Sequence, residues 1–109
     1  MKLPTYKNDS FELDNTESIH ADHPQKFWIP SKEKRKSLKS GELVKLIFHM
    51  LEDDNFTAIS VERMWVEITD VRPSFYIGKL DNDPSGSKCL KHGQEVIFQA
   101  IHIIDIYRE

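Results

Sequence analysis

The chain has 109 residues, of which 39% are hydrophobic and 30% are charged, and its formal net charge at pH 7 is −3. This length excludes two independent domains, but it suffices for one small core without disulfide or metal support. The single cysteine, Cys89, excludes an internal disulfide, and no apolar stretch approaches the roughly 20 residues of a membrane-spanning helix. We therefore expect a soluble, cytoplasmic protein without a membrane partner.

The charge is distributed unevenly along the chain. Residues 1–25 contain two lysines and five acidic residues, residues 26–45 contain seven basic and two acidic residues, and residues 46–109 contain six basic and eleven acidic residues. A basic segment therefore lies between two acidic ones. It suggests phosphate contacts, but the pI of about 5.9 lies far below the range typical of nucleic-acid-binding domains. An exposed, charged helical face explains these lysines equally well.

Residues 1–26 are predicted to form a polar, acidic N-terminal arm that is only partly ordered. The main apolar residues in this segment are Phe11, Leu13 and Ile19, and the others are mostly polar or acidic. The remaining residues, 27–109, are predicted to form a single helix-plus-barrel domain.

The first element of that domain is a short helix predicted over 31–39. Ser31 follows Pro30 and is a favourable N-cap, and Gly41 supplies a left-handed exit from the helix. Leu38 is the one obvious inward-facing residue of this segment.

From residue 41 onward the hydrophobic pattern has a period of two, which is typical of β-strands. Strands are predicted over 43–50, 59–70, 75–80, 95–98 and 101–107, with a polar turn at 52–55 and a longer loop at 81–87. In the second strand, Arg63 and Trp65 alternate with a core-facing row that contains Met64, Val66 and Ile68. Gly78 within a strand predicts a bulge.

These elements predict an α+β fold that is mainly β. We expect a small, strongly bent five-stranded antiparallel sheet, or an SH3-like partly open barrel, with one or two short N-terminal helices. A sheet this small has open edges, so the chain is expected to be a monomer or an edge-paired homodimer.

Six short motifs occur in a fixed order between residues 27 and 105. They are Phe27-Trp28-Ile29-Pro30-Ser31 with Arg35 and Leu38, Gly41-Glu42-Leu43-Val44-Lys45-Leu46-Ile47-Phe48, Glu62-Arg63-Met64-Trp65-Val66-Glu67-Ile68, Gly78-Lys79-Leu80-Asp81-Asn82-Asp83-Pro84, Leu90-Lys91-His92-Gly93-Gln94-Glu95-Val96-Ile97-Phe98 and His102-Ile103-Ile104-Asp105. Together they resemble the YegJ-like family of uncharacterised small bacterial domains. The resemblance implies a bacterial single domain and carries no activity over to this chain.

Catalytic and metal chemistry find little support in the sequence. His20, Asp22 and His23 are close enough in sequence to chelate a metal, but no second ligand cluster accompanies them beyond Cys89 and His92. The latter pair lacks a recognisable oxyanion-hole motif, and no phosphate-binding or dinucleotide fingerprint occurs. We expect no enzymatic activity, no metal and no cofactor.

The aromatic and arginine residues favour a binding surface instead. Trp, Tyr and Arg are the residue types enriched at interface hot spots. The candidate binding residues are Trp28, Arg63, Trp65, Tyr76, Asp81, Asn82 and Asp83, of which the last three belong to the 81–87 loop. The more ordinary role for these aromatic residues is to pack the N-terminal segment against the barrel.

Two functions follow from these residues. The first is a non-enzymatic bacterial protein-binding module of unknown partner, such as an immunity-type or regulatory protein, whose negative charge would suit a basic toxin. The second is a small barrel that binds nucleic acid through residues 26–45, with Trp28 or Tyr76 as stacking platforms.

Overall fold

A strongly curved antiparallel sheet dominates the computed structural model of the chain, which describes residues 2–53 and 58–108. In chain order the elements are α1 (Tyr6–Asp9), β1 (Phe11–Leu13), α2 (Thr16–Asp22), α3 (Lys32–Lys36), β2 (Leu43–Leu51), β3 (Ile59–Val71), β4 (Tyr76–Leu80), β5 (Glu95–Phe98), a 3-10 turn (Ala100–His102) and β6 (Ile103–Ile106). Strands β2 to β5 pair consecutively, and five strands curl into a half-barrel. The predicted α+β, mainly β fold class is confirmed, with six strands in the described residues rather than five.

The core lies on the concave side of the sheet. Val44 pairs with Val66 and Leu46 pairs with Met64, and all four side chains are buried. Because side chains alternate along a strand, the even-numbered positions of 44–50 in β2 and 64–68 in β3 enter the core, and the odd-numbered positions lie on the opposite side of the sheet. On that side Ile47 and Leu51 are also buried, so the remaining odd-numbered positions determine what this part of the sheet presents to solvent.

The strand that the sequence did not predict is β1, within the N-terminal segment. It pairs with the C-terminal part of β2, and Phe11 is only 1% exposed, with its ring 5.4 Å from that of Phe48. Thr16 is fully buried, and its hydroxyl lies 2.8 Å from the carbonyl oxygen of Ile101 and 3.0 Å from that of Ile103. The described part of residues 1–26 therefore packs on the same sheet as the rest of the chain.

Helix α3 is shorter than the predicted 31–39 because a tertiary contact ends it. The hydroxyl of Tyr76 donates to the Arg35 carbonyl oxygen at 2.8 Å and accepts a hydrogen bond from the Leu38 backbone N–H at 3.3 Å. In a longer helix, this carbonyl and this N–H would instead bond to other backbone groups of the helix itself. Ser31 caps the helix as predicted, by accepting from the Lys34 N–H, and Gly41 has a positive φ of 95°.

The predicted bulge near Gly78 is present on the neighbouring strand. The β3–β4 register shifts between Ile68 and Asp70, opposite Gly78. A Cβ atom at Gly78 would lie 2.6 Å from the backbone oxygen of Glu67, so only glycine allows the two strands to approach this closely.

The last predicted strand, 101–107, begins later than expected. Residues Ala100–His102 form the 3-10 turn, and His102 Nδ1 accepts a hydrogen bond from the Gln99 backbone N–H at 2.9 Å. Burial lowers the pKa of His102 to about 4, against an opposing effect of Asp14, so the ring is neutral at pH 7 and free to act as an acceptor.

In the predicted turn at 52–55, residues 54 and 55 lie outside the described part of the chain.

Candidate functional site

The candidate site is the outward side of β2, β3 and β6, which we call the outer face. Lys45 of β2 pairs with Trp65 of β3 on one side and with Asp105 of β6 on the other. The outer face comprises Lys45, Ile59, Val61, Arg63, Trp65, Asp105 and Tyr107, of which Tyr107 directly follows β6.

Trp65 lies at the centre of this face and is half-buried. The Lys45 ammonium nitrogen is 4.7 Å from the centre of the Trp65 ring, and the Tyr107 ring meets the same indole edge-on at 5.8 Å. Both arrangements are favourable for an aromatic ring, because its faces are electron-rich and its edge is electropositive. The contacts hold the indole in place while Tyr107 itself stays 53% exposed.

Beside Trp65 is a concave site of about 220 Å³, which we call the cationic pocket. The 26–28 segment, β2, β3 and β6 form its walls, and its lining residues are Lys26, Phe27, Trp28, Lys45, Arg63, Ile104 and Asp105. The Arg63 guanidinium lies 5.7 Å from the centre of the Phe27 ring, and Trp28 is 65% exposed. The structure thus brings Trp28, Arg63 and Trp65 onto one continuous surface, as the binding-face hypothesis requires.

Across residues 2–53 and 58–108, three lysine or arginine side chains pair with a carboxylate, those of Arg35, Arg72 and Lys79, and two histidines contact one. Lys26, Lys45 and Arg63 have no such partner there, and they differ from the other unpaired lysines in lining one pocket together. By contrast, Lys79 on the outward side of β4 is 3.8 Å from Glu67. The pocket therefore has a local excess of positive charge on a chain whose net charge is −3.

The other half of the outer face is apolar. Ile59 is 50% exposed and Val61 is 56% exposed, and both lie on β3 in the same alternating row as Arg63. Contiguous exposed apolar side chains on an open sheet face make it a candidate interaction surface.

The 81–83 loop borders the outer face on the side of β4. The Asp81 N–H donates to the Trp65 carbonyl oxygen at 2.9 Å, and the Asn82 side-chain oxygen accepts from the Trp65 N–H at 2.5 Å. Asn82 therefore supplies a hydrogen-bond acceptor to the β3 backbone at a position beyond the end of β4. Asp81 and Asp83 are exposed, and Asp81 pairs with His92 at 3.1 Å, so this side of the face is acidic.

The following residues hold that loop against β3. Glu62 accepts hydrogen bonds from the N–H groups of Ser85 and Gly86 and from the Ser85 hydroxyl. Burial raises the pKa of Glu62, but these hydrogen bonds outweigh it and leave the pKa below its ordinary value. Gly86 is needed for the close approach, because a Cβ atom there would lie 2.0 Å from the Ser60 hydroxyl oxygen.

Tyr76 does not belong to this site. It is 5% exposed, its ring packs 5.4 Å from that of Phe98, and its hydroxyl makes the two bonds that end α3. Burial raises the pKa of this hydroxyl, so it stays protonated and able to donate. The prediction of Tyr76 as a binding or stacking residue is therefore corrected: the side chain is a core residue.

The structure also divides the basic segment 26–45. Lys26 and Lys45 line the cationic pocket, whereas Lys36 lines a separate open groove of about 450 Å³ with Arg72. Arg35 is 4% exposed and binds Glu17 at 2.7 Å and the Pro30 and Ala100 carbonyl oxygens. These residues do not form one continuous phosphate-binding stripe.

Of the candidate metal ligands, His20 contacts the backbone of the 26–28 segment. His20 Nδ1 is 2.6 Å from the Phe27 carbonyl oxygen, which ties α2 to the wall of the cationic pocket. Within the described residues, no group of three or more histidine, cysteine or acidic side chains is arranged to hold a metal ion.

Sequence reasoning missed Lys26, Lys45, Ile59, Val61 and Tyr107 as members of the site. The signal for Ile59 and Val61 was present, because they share the odd-numbered row of Arg63 and Trp65. Lys45 and Tyr107 could be found only from the pairing of β2 with β3 and β6, since they are far from Trp65 in sequence.

No family model, curated protein or solved structure matches this chain. No helix among the described residues is long and apolar enough to cross a membrane.

Proposed function

We propose that the chain is a non-enzymatic protein-binding module that engages another protein through its outer face. The observation that carries the proposal is the placement of exposed hydrophobic side chains. Five large ones occur in the described residues, and four of them, Trp28, Ile59, Val61 and Tyr107, lie on or beside this face. Exposed apolar and aromatic side chains gathered beside arginine are typical of interface centres.

The shape of the face suits this role. The row from Ile59 to Trp65 extends about 20 Å along one strand, which is long enough for the centre of a standard interface. The 81–83 loop and the 26–28 segment flank it and would supply a polar rim. The half-barrel beneath is held by the buried core, so the face needs no folding step before it binds.

The alternative is a nucleic-acid-binding barrel. Aromatic rings beside cations favour it, but the separation of Lys26 and Lys45 from Lys36, the burial of Arg35 and the acidic 81–83 loop weigh against it. Protein binding is therefore the better-supported proposal.

We also propose that the half-barrel is SH3-like and that the protein is bacterial and cytoplasmic, with an immunity-type or regulatory role. An SH3-like barrel is supported by the strand order β6–β2–β3–β4–β5 and by the 3-10 turn before the last strand. A bacterial, cytoplasmic setting and an immunity-type or regulatory role follow only from the family resemblance and the composition.

The test is capture of a stoichiometric partner from a lysate of the native cells, in the presence of nuclease, followed by affinity measurement with that purified partner. The variant W28A/V61S should weaken binding at least about tenfold, because it removes two exposed anchors of the face. The matched control is Val71→Ser, which removes the fifth exposed hydrophobic side chain, at the far end of β3.

The proposal predicts that V71S binds within about twofold of the unaltered chain. Equal losses in both variants, or undiminished binding by W28A/V61S, would overturn it. Circular dichroism of each variant separates loss of binding from loss of fold.

A further inference from the structure

We propose that the cationic pocket is an anion subsite that receives a carboxylate side chain, so that the partner presents an acidic segment with an adjoining apolar residue. This inference rests on the proposed function and names the chemistry of its partner. It reverses what the net charge suggests, because a chain of charge −3 would ordinarily be expected to attract a basic protein.

The first argument is the unused bonding capacity of the pocket. Lys45 and Arg63 contact the faces of Trp65 and Phe27, and these contacts position the cations without supplying a hydrogen-bond acceptor. Lysine has three N–H donors and arginine has five. Among the described residues, no oxygen atom accepts a hydrogen bond from the side chain of Lys26, Lys45 or Arg63.

The second argument is the balance of charge in the pocket. Three cations face a single carboxylate, that of Asp105, whose Oδ1 accepts from the Ile106 backbone N–H at 2.9 Å. A bound carboxylate would lower the repulsion among the cations and gain charge-assisted hydrogen bonds. Positive charge in a concave, partly apolar site also acts more strongly than on an open surface.

The third argument is size. A volume of about 220 Å³ lies below the roughly 300–1,000 Å³ typical of small-molecule and cofactor sites, but it accommodates one acidic side chain. The exposed ring of Trp28 at the rim would cover the apolar stem or the neighbouring residue of the inserted side chain.

A protein carboxylate fits the surroundings better than a nucleic-acid phosphate backbone. Asp105 lies in the pocket, and Asp81 and Asp83 border the face at Trp65, so a continuous polyanion would meet carboxylates at both places. A protein segment of mixed composition can place its acids against the pocket and neutral or basic residues against the loop.

The experiment is a titration of the folded, nitrogen-15-labelled chain followed by NMR. The probes are a capped hexapeptide of alternating glutamate and leucine, the matched glutamine–leucine hexapeptide, and a thymidine hexanucleotide. The readouts are the indole N–H signals of Trp28 and Trp65 and their movement with probe concentration.

The glutamate peptide is expected to shift the Trp28 indole signal and to bind at least about tenfold more tightly than the glutamine peptide, with an affinity that falls as salt rises. Arg63→Gln and Lys45→Gln should each weaken it about fivefold or more. Lys79→Gln is the matched control, because Lys79 is also outward-facing and cationic but already pairs with Glu67.

Equal binding of the two peptides, or equal weakening by K79Q and R63Q, would overturn the anion subsite. Tighter binding of the hexanucleotide than of the glutamate peptide would reassign the pocket to phosphates. If these tests fail while partner binding still depends on Trp28 and Val61, the inference falls and the proposed function stands. If partner binding is indifferent to W28A/V61S, the proposed function itself falls.

Discussion

Arg35 and Arg63 are both arginines close to aromatic residues, and their surroundings differ completely. Arg35 is 4% exposed, and its side chain donates hydrogen bonds to the Glu17 carboxylate and to the carbonyl oxygens of Pro30 and Ala100. It therefore joins α2, α3 and the 3-10 turn. Arg63 is exposed and lies over the Phe27 ring with no ion pair among the described residues. The hydrogen-bond donors of Arg35 are used within the fold, whereas those of Arg63 remain available to a partner.

The same contrast separates other polar residues of this chain. His102 is buried and accepts a hydrogen bond from a backbone N–H within a turn, whereas His92 is exposed and contacts the exposed side chain of Asp81. Asn82 is bonded to the β3 backbone, whereas its neighbour Asp83 is exposed. Each pair offers a way to test whether bonding within the fold, rather than residue type, decides the role.

The arginine pair should give the largest difference. Arg35→Ala removes three hydrogen bonds and leaves Glu17 and two carbonyl groups without their partner, so we expect it to lower the free energy of unfolding by about 3 to 4 kcal/mol. Arg63→Ala should change it by less than about 0.5 kcal/mol, because the side chain is exposed. Urea unfolding followed by fluorescence measures both. Similar losses in the two variants would contradict the contrast.

The histidine pair should differ in the pH dependence of stability. The folded-state pKa of His102 is about 4, below its unfolded value of 6.5, so the folded form binds fewer protons between these values. The stabilisation from neutral His102 is complete above pH 6.5 and is lost as the pH falls from 6.5 towards 4, by up to about 3 kcal/mol.

His102→Asn tests this expectation, because an amide oxygen can still accept from the Gln99 N–H and does not titrate. Urea unfolding at a series of pH values should show a flatter profile for H102N between 6.5 and 4. The control His92→Asn changes an exposed histidine and should retain the slope of the unaltered chain. An unchanged profile in H102N would show that His102 does not cause the slope.

The loop pair should give the smallest effect. Asn82→Ala leaves the backbone N–H of the half-buried Trp65 without its acceptor, and we expect it to lower the free energy of unfolding by about 1 to 2 kcal/mol. Asn82→Asp keeps an acceptor and should restore most of this loss. Asp83→Ala should be close to neutral, because its side chain is exposed. A loss in D83A as large as in N82A would contradict the assignment of Asn82 as the anchor.

Much of the fold could be predicted from local patterns. The strand 95–98 matches β5, and the strands predicted over 43–50 and 59–70 differ from β2 and β3 by one residue. These segments are rich in β-branched, aromatic and other apolar residues and are bounded by turn residues, and β3 also alternates between buried and more exposed positions. The three-residue β1 has no such signal, and its strand conformation depends on the edge of β2.

The candidate site was predictable in part. Trp28, Arg63, Trp65 and the 81–83 loop do meet at one face, because alternation on β3 and the end of β4 place them there. Tyr76 could not be distinguished from an exposed tyrosine by its sequence, since its partners Arg35 and Leu38 lie about 40 residues away. The ring enters the core because its hydroxyl finds both a donor and an acceptor there.

The sequence by itself determined strands β2 to β5, the N-cap at Ser31, the positive φ at Gly41 and the two sides of β3, because each depends on neighbours within a few residues. Only the tertiary structure decided which polar side chains are bonded within the fold and which remain available to a partner. Pairing of β2 with β3 and β6 brought Lys45 to Trp65 and Asp105, and packing of α3 on the 3-10 turn buried Arg35. The availability of a charged group depends on acceptors supplied from distant parts of the chain, and their distances are set only when the whole sheet has closed.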